Sequence, residues 1–409
     1  MQLLLGEPVL LRYELHQERA CVVGVRKLRP RIRFTNESYR ETAALVATSS
    51  TLAPLSVDAL SRALRLEGDD GEEPRVRRLF GRAYRVVDEH HTPWKLEQRE
   101  ALRRLNRLSR LGRHVASSLA DARRFRASAA GAVTLFDAVR LGDLDRRDLV
   151  ETLETRMRLV TDAMGLLERS RLATLGLLPA LEAACGSVPR DLFDALAAPE
   201  RAEERARLDA RLSALARRCL DEQGEVQVPA AASHLHQEWL ELRDELSRVR
   251  ILGMDVRPQA MGFADEDLKQ ALAEAYSLLR SDPDGARAGA KSALLKLSLR
   301  GPLGALGVAP AGALLLLFER LALAKGDLAE ALAAALLRLR TAAVEAGQRL
   351  MLDGILERGE DALYMPLSEI EEALEGELGA YAARVRLRRE DDRRWRNFSA
   401  PRWLAARGP

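Results

Sequence analysis

Histidines and cysteines are the first residues to weigh for chemistry. The pair His234-x-His236, together with His90-His91, could offer imidazole ligands to a transition metal. The run Asp88-Glu89-His90-His91 sets carboxylates beside imidazoles, as an acid–base site requires. Spacing argues against both. Two residues of separation send His234 and His236 to different faces of a helix, and no carboxylate or cysteine completes a familiar ligand set. The acid–histidine run leads into Thr92-Pro93, which reads as a helix end. All six histidines are thus expected at surfaces or caps. Cys21, Cys185 and Cys219 are too far apart for a disulfide framework or a cysteine-only zinc site, which suits a reducing compartment.

Phosphate-binding glycine motifs are missing from the sequence. No two glycines are separated by a single residue, so the dinucleotide fingerprint cannot occur, and no Gly-Lys dipeptide is present to build a Walker loop. H-E-x-x-H, C-x-x-C and G-x-S-x-G are absent too. A self-contained nucleotide, zinc or serine-hydrolase site is not expected, and the chain itself is expected to carry no cofactor.

Composition says which elements must position whatever the chain carries. Of 409 residues, 47% are hydrophobic and only 4% aromatic, with Leu and Ala supplying most of the apolar content, a balance that favours helices over strands. Apolar residues recur at helical spacing along Val150, Leu153, Met157, Val160, Met164 and Leu167, along Leu208, Leu212, Leu215 and Cys219, and along Leu235, Trp239, Leu242, Leu246 and Val249. Such stripes pack as the hairpins of a bundle. Before them, Pro8 to Leu15, Ala20 to Leu28 and Arg31 to Phe34 read as short strands. A polar segment from Asn36 to Ser50 follows, then a first helix with Ser56 as its N-cap. Glu67 to Pro74 reads as a surface loop, and from Arg75 onward the pattern is helical almost to the end. The expected fold is mainly α: a multi-helix bundle with a small antiparallel β piece at the N-terminus. Its parts are an α+β segment over 1–66, a helical domain over 67–400 and a tail over 401–409. The N-terminus lacks the basic flank and apolar core of a signal peptide. Gly301 to Phe318, uncharged but broken by Gly and Pro, reads as a helix–turn–helix connection and not a membrane span. A cytoplasmic location without membrane contact is expected.

Charge is nearly balanced, 64 Lys+Arg against 61 Asp+Glu, but unevenly placed. Residues 75–126 carry a net +10, residues 384–409 a net +6, and the remainder a net −13. The plainest reading is solvated faces that pair with acidic helices. A docking surface for an acidic partner comes next, and nucleic acid last. Trp94, Trp395, Phe398 and Trp403 lie in or beside these patches but are too sparse for a base-stacking platform. Asp265-Glu266-Asp267 and Glu369 to Glu375 sit where the helix dipole favours acids in a first turn.

The C-terminal passage carries a resemblance. Gly347, Leu350, Gly354 and Leu356, followed by Asp361, Tyr364, Ser368, Glu369 and Ile370 and then the Arg-rich stretch Arg384 to Arg396, are similar to the helical linker of phosphoenolpyruvate synthase-like phosphotransferases, the group that includes rifampicin phosphotransferase. Asn36, Glu41 and Thr51 to Ser56 are similar to that family's N-terminal passage, with Ala53 where the family has Thr. The specific part covers about 60 residues at the C-terminal end. Members join an ATP-grasp domain to a mobile domain that carries a phosphorylated histidine. The resemblance implies that this chain is the intervening helical part, without either of those domains. Ser233-His234 shares a dipeptide with the phosphohistidine motif but follows Ala230 to Ala232 where the motif has glycines. The expected function is a non-catalytic helical subunit, or catalytically depleted paralogue, of a split phosphotransferase, acting as scaffold or acceptor-binding part. ATP and Mg would sit on a partner subunit, and the partners would be separate ATP-grasp and phosphohistidine-domain proteins. Arg384, Arg386, Arg388, Arg389, Arg393, Arg394 and Trp395 are the expected partner-binding residues. The alternative is a helical scaffold that binds nucleic acid or an acidic protein through the basic patches.

Overall fold

A computed structural model describes residues 9–16, 19–27, 39–45, 52–66, 75–80, 82–87, 111–186, 203–220, 226–230, 233–249, 283–300, 308–377, 379–395 and 403–407, with isolated positions between 188 and 272. The fold is mainly α, with its strands gathered into one sheet. Strands β1 (Val9–His16), β2 (Arg19–Lys27) and β3 (Tyr39–Leu45) precede helix α1 (Pro54–Leu66), and β4 (Arg75–Leu79) and β5 (Arg82–Val87) follow it. Strand β6 (Trp403–Arg407) comes from the far end of the chain, and the sheet order is β2-β1-β6-β3-β5-β4. β6 runs parallel to β1 and antiparallel to β3.

This sheet departs from the sequence reading in three places. The stretch read as helical from Arg75 opens with the β4–β5 hairpin, and the segment read as polar after Asn36 contains β3. The tail at 401–409 supplies β6, which lies between β1 and β3. For β3 and β6 the cause is shared. β3 and β6 pair with strands far away in sequence, and neither carries a local alternation strong enough to announce a strand. The expected strand at Arg31 to Phe34 and the loop at Glu67 to Pro74 lie outside the described residues. Helix α1 starts two residues before the expected Ser56 cap. Pro54 has the φ a first helical position needs, and Ser56 is buried one turn inside.

The remaining helices are α2 (Leu111–Ala138), α3 (Arg146–Gly176), α4 (Leu178–Cys185), α5 (Glu203–Arg218), α6 (His234–Val249), α7 (Pro283–Arg300), α8 (Val308–Leu352), α9 (Leu367–Leu374) and α10 (Tyr381–Trp395). The expected 150–167 stripe lies on α3, with Leu153, Met157, Val160 and Met164 all buried. Asp145 caps this helix by accepting the Asp148 amide at 2.8 Å. The axis of the molecule is α8, whose 45 residues span about 68 Å at ~1.5 Å per residue. Its first half packs with α4 and α7 in one core, where Phe193 and Phe318 meet edge to face at 5.7 Å. Its second half packs on α2, α3 and α9 in the largest core, through a seam of Ala335, Ala342, Ala343, Ala346 and Gly347. Small residues there let backbones approach closely. A third cluster joins α5 to α6 around the fully buried Trp239. Among the described residues, no helix is long and apolar enough to cross a membrane.

Candidate functional site

The passage that carries the family resemblance folds as a clasp between α8 and α10. Helix α8 ends because Gly354 takes a φ of +75° and the Ile355 amide reaches back to the Leu350 carbonyl at 2.8 Å, a left-handed cap that glycine adopts without cost. The chain then turns against its own helix. At Gly347 an added Cβ would lie 1.8 Å from the Gly359 carbonyl oxygen, so only glycine admits the turn Gly359–Tyr364 at this distance. Asp361 fixes that turn from inside. One carboxylate oxygen accepts the Arg358 amide at 3.1 Å and the other accepts Arg389 Nη1 at 2.8 Å.

Next in the chain is Glu369, in the first turn of α9. Its sequence position reads as an acid favoured by the helix dipole. It is instead buried at 7% exposure and gripped from α10: Oε1 accepts Arg384 at 2.7 Å and Arg388 at 2.9 Å, and Oε2 accepts Arg388 at 2.6 Å. Arg388 also donates to the Tyr364 carbonyl at 3.1 Å, which ties turn, α9 and α10 together. Further along α10, the buried Asp392 pairs with Arg78 of β4, and Arg78 also donates to the Leu52 carbonyl at 2.8 Å. Trp395 meets Phe80 edge to face at 4.8 Å. Phe80 occupies the two-residue β4–β5 loop with a φ of +51°, an expensive conformation for a residue with a side chain, held here by burial of its ring.

The seven expected partner-binding residues therefore divide. Arg384, Arg388 and Arg389 turn inward onto Glu369 and Asp361, and Trp395 packs on the hairpin, so these four assemble the fold. Arg386, Arg393 and Arg394 face solvent. Arg386 meets Glu357 at 3.2 Å with both side chains more than half exposed, a pair worth little. Arg394 lies over the Trp395 ring at 5.1 Å. Arg393 and Arg394 also complement the dipole at the end of α10.

Two further arginines stand out on the structure. Arg156 of α3 is 2% exposed, donates to the Arg338 carbonyl at 2.6 Å and the Phe136 carbonyl at 3.1 Å, and stacks on the Phe136 ring at 5.2 Å. Burial pushes its pKa down, and Asp137 opposes that. Arg340 of α8 lines an open groove of about 490 Å³ between α8 and the segment that follows α2. Neither lies in a glycine-rich or acidic context, so only the tertiary fold reveals them.

The other residues weighed for chemistry have structural roles. Ser233 accepts the Leu235 amide at 3.2 Å as the cap of α6. His234 is exposed and accepts from Arg218 or donates to solvent according to its tautomer, and His236 Nδ1 lies 3.2 Å from the Pro229 carbonyl. Among the described residues, no group of three or more His, Cys, Asp or Glu side chains could hold a metal ion. Cys185 and Cys219 are buried, which raises both thiol pKa values and keeps them protonated. His90, His91, Asp88, Glu89, Trp94, Asp265 to Asp267 and Phe398 lie outside the described residues. No protein-family model and no curated protein matches the chain.

Proposed function

We propose that this chain is a non-catalytic helical subunit of a split phosphoenolpyruvate synthase-like phosphotransferase, working in the cytoplasm as a scaffold between an ATP-grasp protein and a phosphohistidine-bearing protein. The observation that carries the reading is the clasp. Gly347, Leu350, Gly354, Leu356, Asp361, Tyr364 and Glu369, among the residues of the resemblance, take part in the cap, turn and ion pairs that link the end of α8 through the turn and α9 to α10. A helix fixed in this way presents Arg386, Arg393 and Arg394 at set positions, as docking of an acidic surface requires. In this reading ATP and Mg²⁺ belong to the partner, and the work of the chain is positioning, on which phosphoryl transfer depends heavily.

The test is a pull-down with separately encoded ATP-grasp and phosphohistidine-domain proteins, followed by phosphotransfer assays with and without the chain. The triple charge reversal R386E/R393E/R394E is expected to keep the helical spectrum and lose the interaction. If the wild-type chain neither binds such proteins nor alters their phosphotransfer, the proposal is wrong. Salt-dependent binding to duplex or single-stranded nucleic acid, with no protein partner, would favour the basic-patch alternative.

A further inference from the structure

The buried and half-buried arginines around the second half of α8 share a habit. Arg156, Arg338, Arg349 and Arg388 each donate to a backbone carbonyl, and the last three also meet a carboxylate. Arg340 does neither. It donates no hydrogen bond and makes no ion pair among the described residues, and its Nε is buried without a partner. Glu360 acts on it only through its field, and burial works against its charge. A guanidinium held partly out of water without a partner is costly, and such groups are retained where something else completes them.

What surrounds Arg340 indicates what that is. The groove has an apolar wall of Val139, Leu141 and Val344, with Val139 39% exposed at its lip. Its polar groups are Arg340, Thr341, Glu345 and Gln348. Two of these are already engaged: Thr341 donates to the Leu337 carbonyl at 2.9 Å, and Glu345 accepts Arg349, which also fastens the Leu141 carbonyl over the helix. Gln348 has no hydrogen-bond partner among the described residues, while its aliphatic stem is wedged against Gly359. The unspent polar capacity is a planar cation and one amide, beside a small apolar surface. A guanidinium fork suits carboxylate and phosphate oxygens, and an apolar wall rewards a ligand with a hydrocarbon body.

We propose that this groove binds a small organic oxyanion, its carboxylate or phosphate head on Arg340 and Gln348 and its apolar body against Val139, Leu141 and Val344. The site needs no partner protein and stands independently of the proposed assembly. Isothermal titration of the full chain with phenyl phosphate, benzoate and inorganic phosphate tests it. At least one of the two aromatic anions is expected to bind with a Kd of about 1 mM or tighter, and which one identifies the head group. Inorganic phosphate is expected to bind about tenfold more weakly for want of apolar contact. R340Q should weaken aromatic-anion binding about tenfold or more, the loss of a charge-assisted pair. The lip variant V139W, which adds bulk at an exposed position and keeps the arginine, should block binding with the far-ultraviolet spectrum unchanged. The inference is overturned if neither aromatic anion binds up to about 10 mM. It is equally overturned if V139W binds as the wild type does, or if inorganic phosphate matches the aromatic anions, since the arginine would then be a general ionic patch.

Discussion

Gly347 and Gly131 both lie in helix interiors, and substituting each with alanine should move stability in opposite directions. In the absence of contacts, alanine is favoured over glycine in a helix by about 0.5–1 kcal/mol, because glycine loses more backbone freedom on folding. At Gly131 of α2 an added Cβ meets nothing within 4 Å, so G131A is expected to gain about that amount. At Gly347 the same gain is opposed by three contacts: the Gly359 carbonyl oxygen at 1.8 Å, its carbon at 2.7 Å and the Ala362 Cβ at 2.9 Å. The first two are backbone, so relief needs the whole turn Gly359–Tyr364 to move away from α8. Gly359 is itself packed on α8, where an added Cβ would meet Gln348 Cγ at 2.7 Å and the Val344 carbonyl at 3.2 Å, so separating the turn from the helix also forfeits these contacts. Moving the turn also pulls Asp361 away from Arg389 and the Arg358 amide, and charge-assisted bonds of this kind contribute about 1.5–3 kcal/mol each. Set against the helical gain, the net loss for G347A should be about 2–4 kcal/mol. Urea titrations followed at 222 nm give the sign and size. Amide exchange localises the effect, with protection expected to fall in 358–364 for G347A and to stay unchanged there for G131A. Equal stability of the two variants would refute the close approach, and with it the claim that the turn is packed on the helix.

Other perturbations test the remaining parts of the arrangement. E369Q removes the charge that three guanidinium contacts hold in place, so unfolding free energy should drop by about 3 kcal/mol, with exchange rising in α9 and α10 together. R156M should cost about 2–3 kcal/mol by removing the bonds to the Phe136 and Arg338 carbonyls. R156K should recover only part of that, because one ammonium lacks the fork that spans both; urea midpoints decide the order. Glu371 has a buried Oε1 without a partner and a pKa raised first by burial and then by Glu154, with Asp58 and Glu375 adding to the rise and Arg62 opposing it. A carboxyl whose folded pKa lies above its unfolded value favours folding while protonated and loses that contribution as pH rises through the folded pKa. E371Q should accordingly stabilise the protein at neutral pH and make no difference well below the ordinary glutamate range, as melting temperatures across that span will show.

How far the sequence reveals this arrangement depends on whether the deciding interaction is local. Helical stripes are local: Leu153, Met157 and Val160 lie on one face of one helix, and their spacing anticipates their burial. Gly354 and Gly347 are visible as spaced glycines; the cap that Gly354 permits follows from helix geometry alone, whereas the close approach at Gly347 is tertiary. β3 and β6 were not visible, because each depends on pairing between segments hundreds of residues apart. The basic helix is exposed only in part, for a related reason. Counting charge along the chain gives +6 for the last residues, but the carboxylates that neutralise Arg388 and Arg389 lie 19 and 28 residues upstream, and Asp392 is neutralised from β4. A linear count treats those charges as solvent-facing when they hold the clasp closed. Arg340 is the converse, since no run of charge marks it. It becomes conspicuous only beside neighbouring arginines that have found partners, so among the described residues a partly buried cation without an ion pair is more informative than a run of charge.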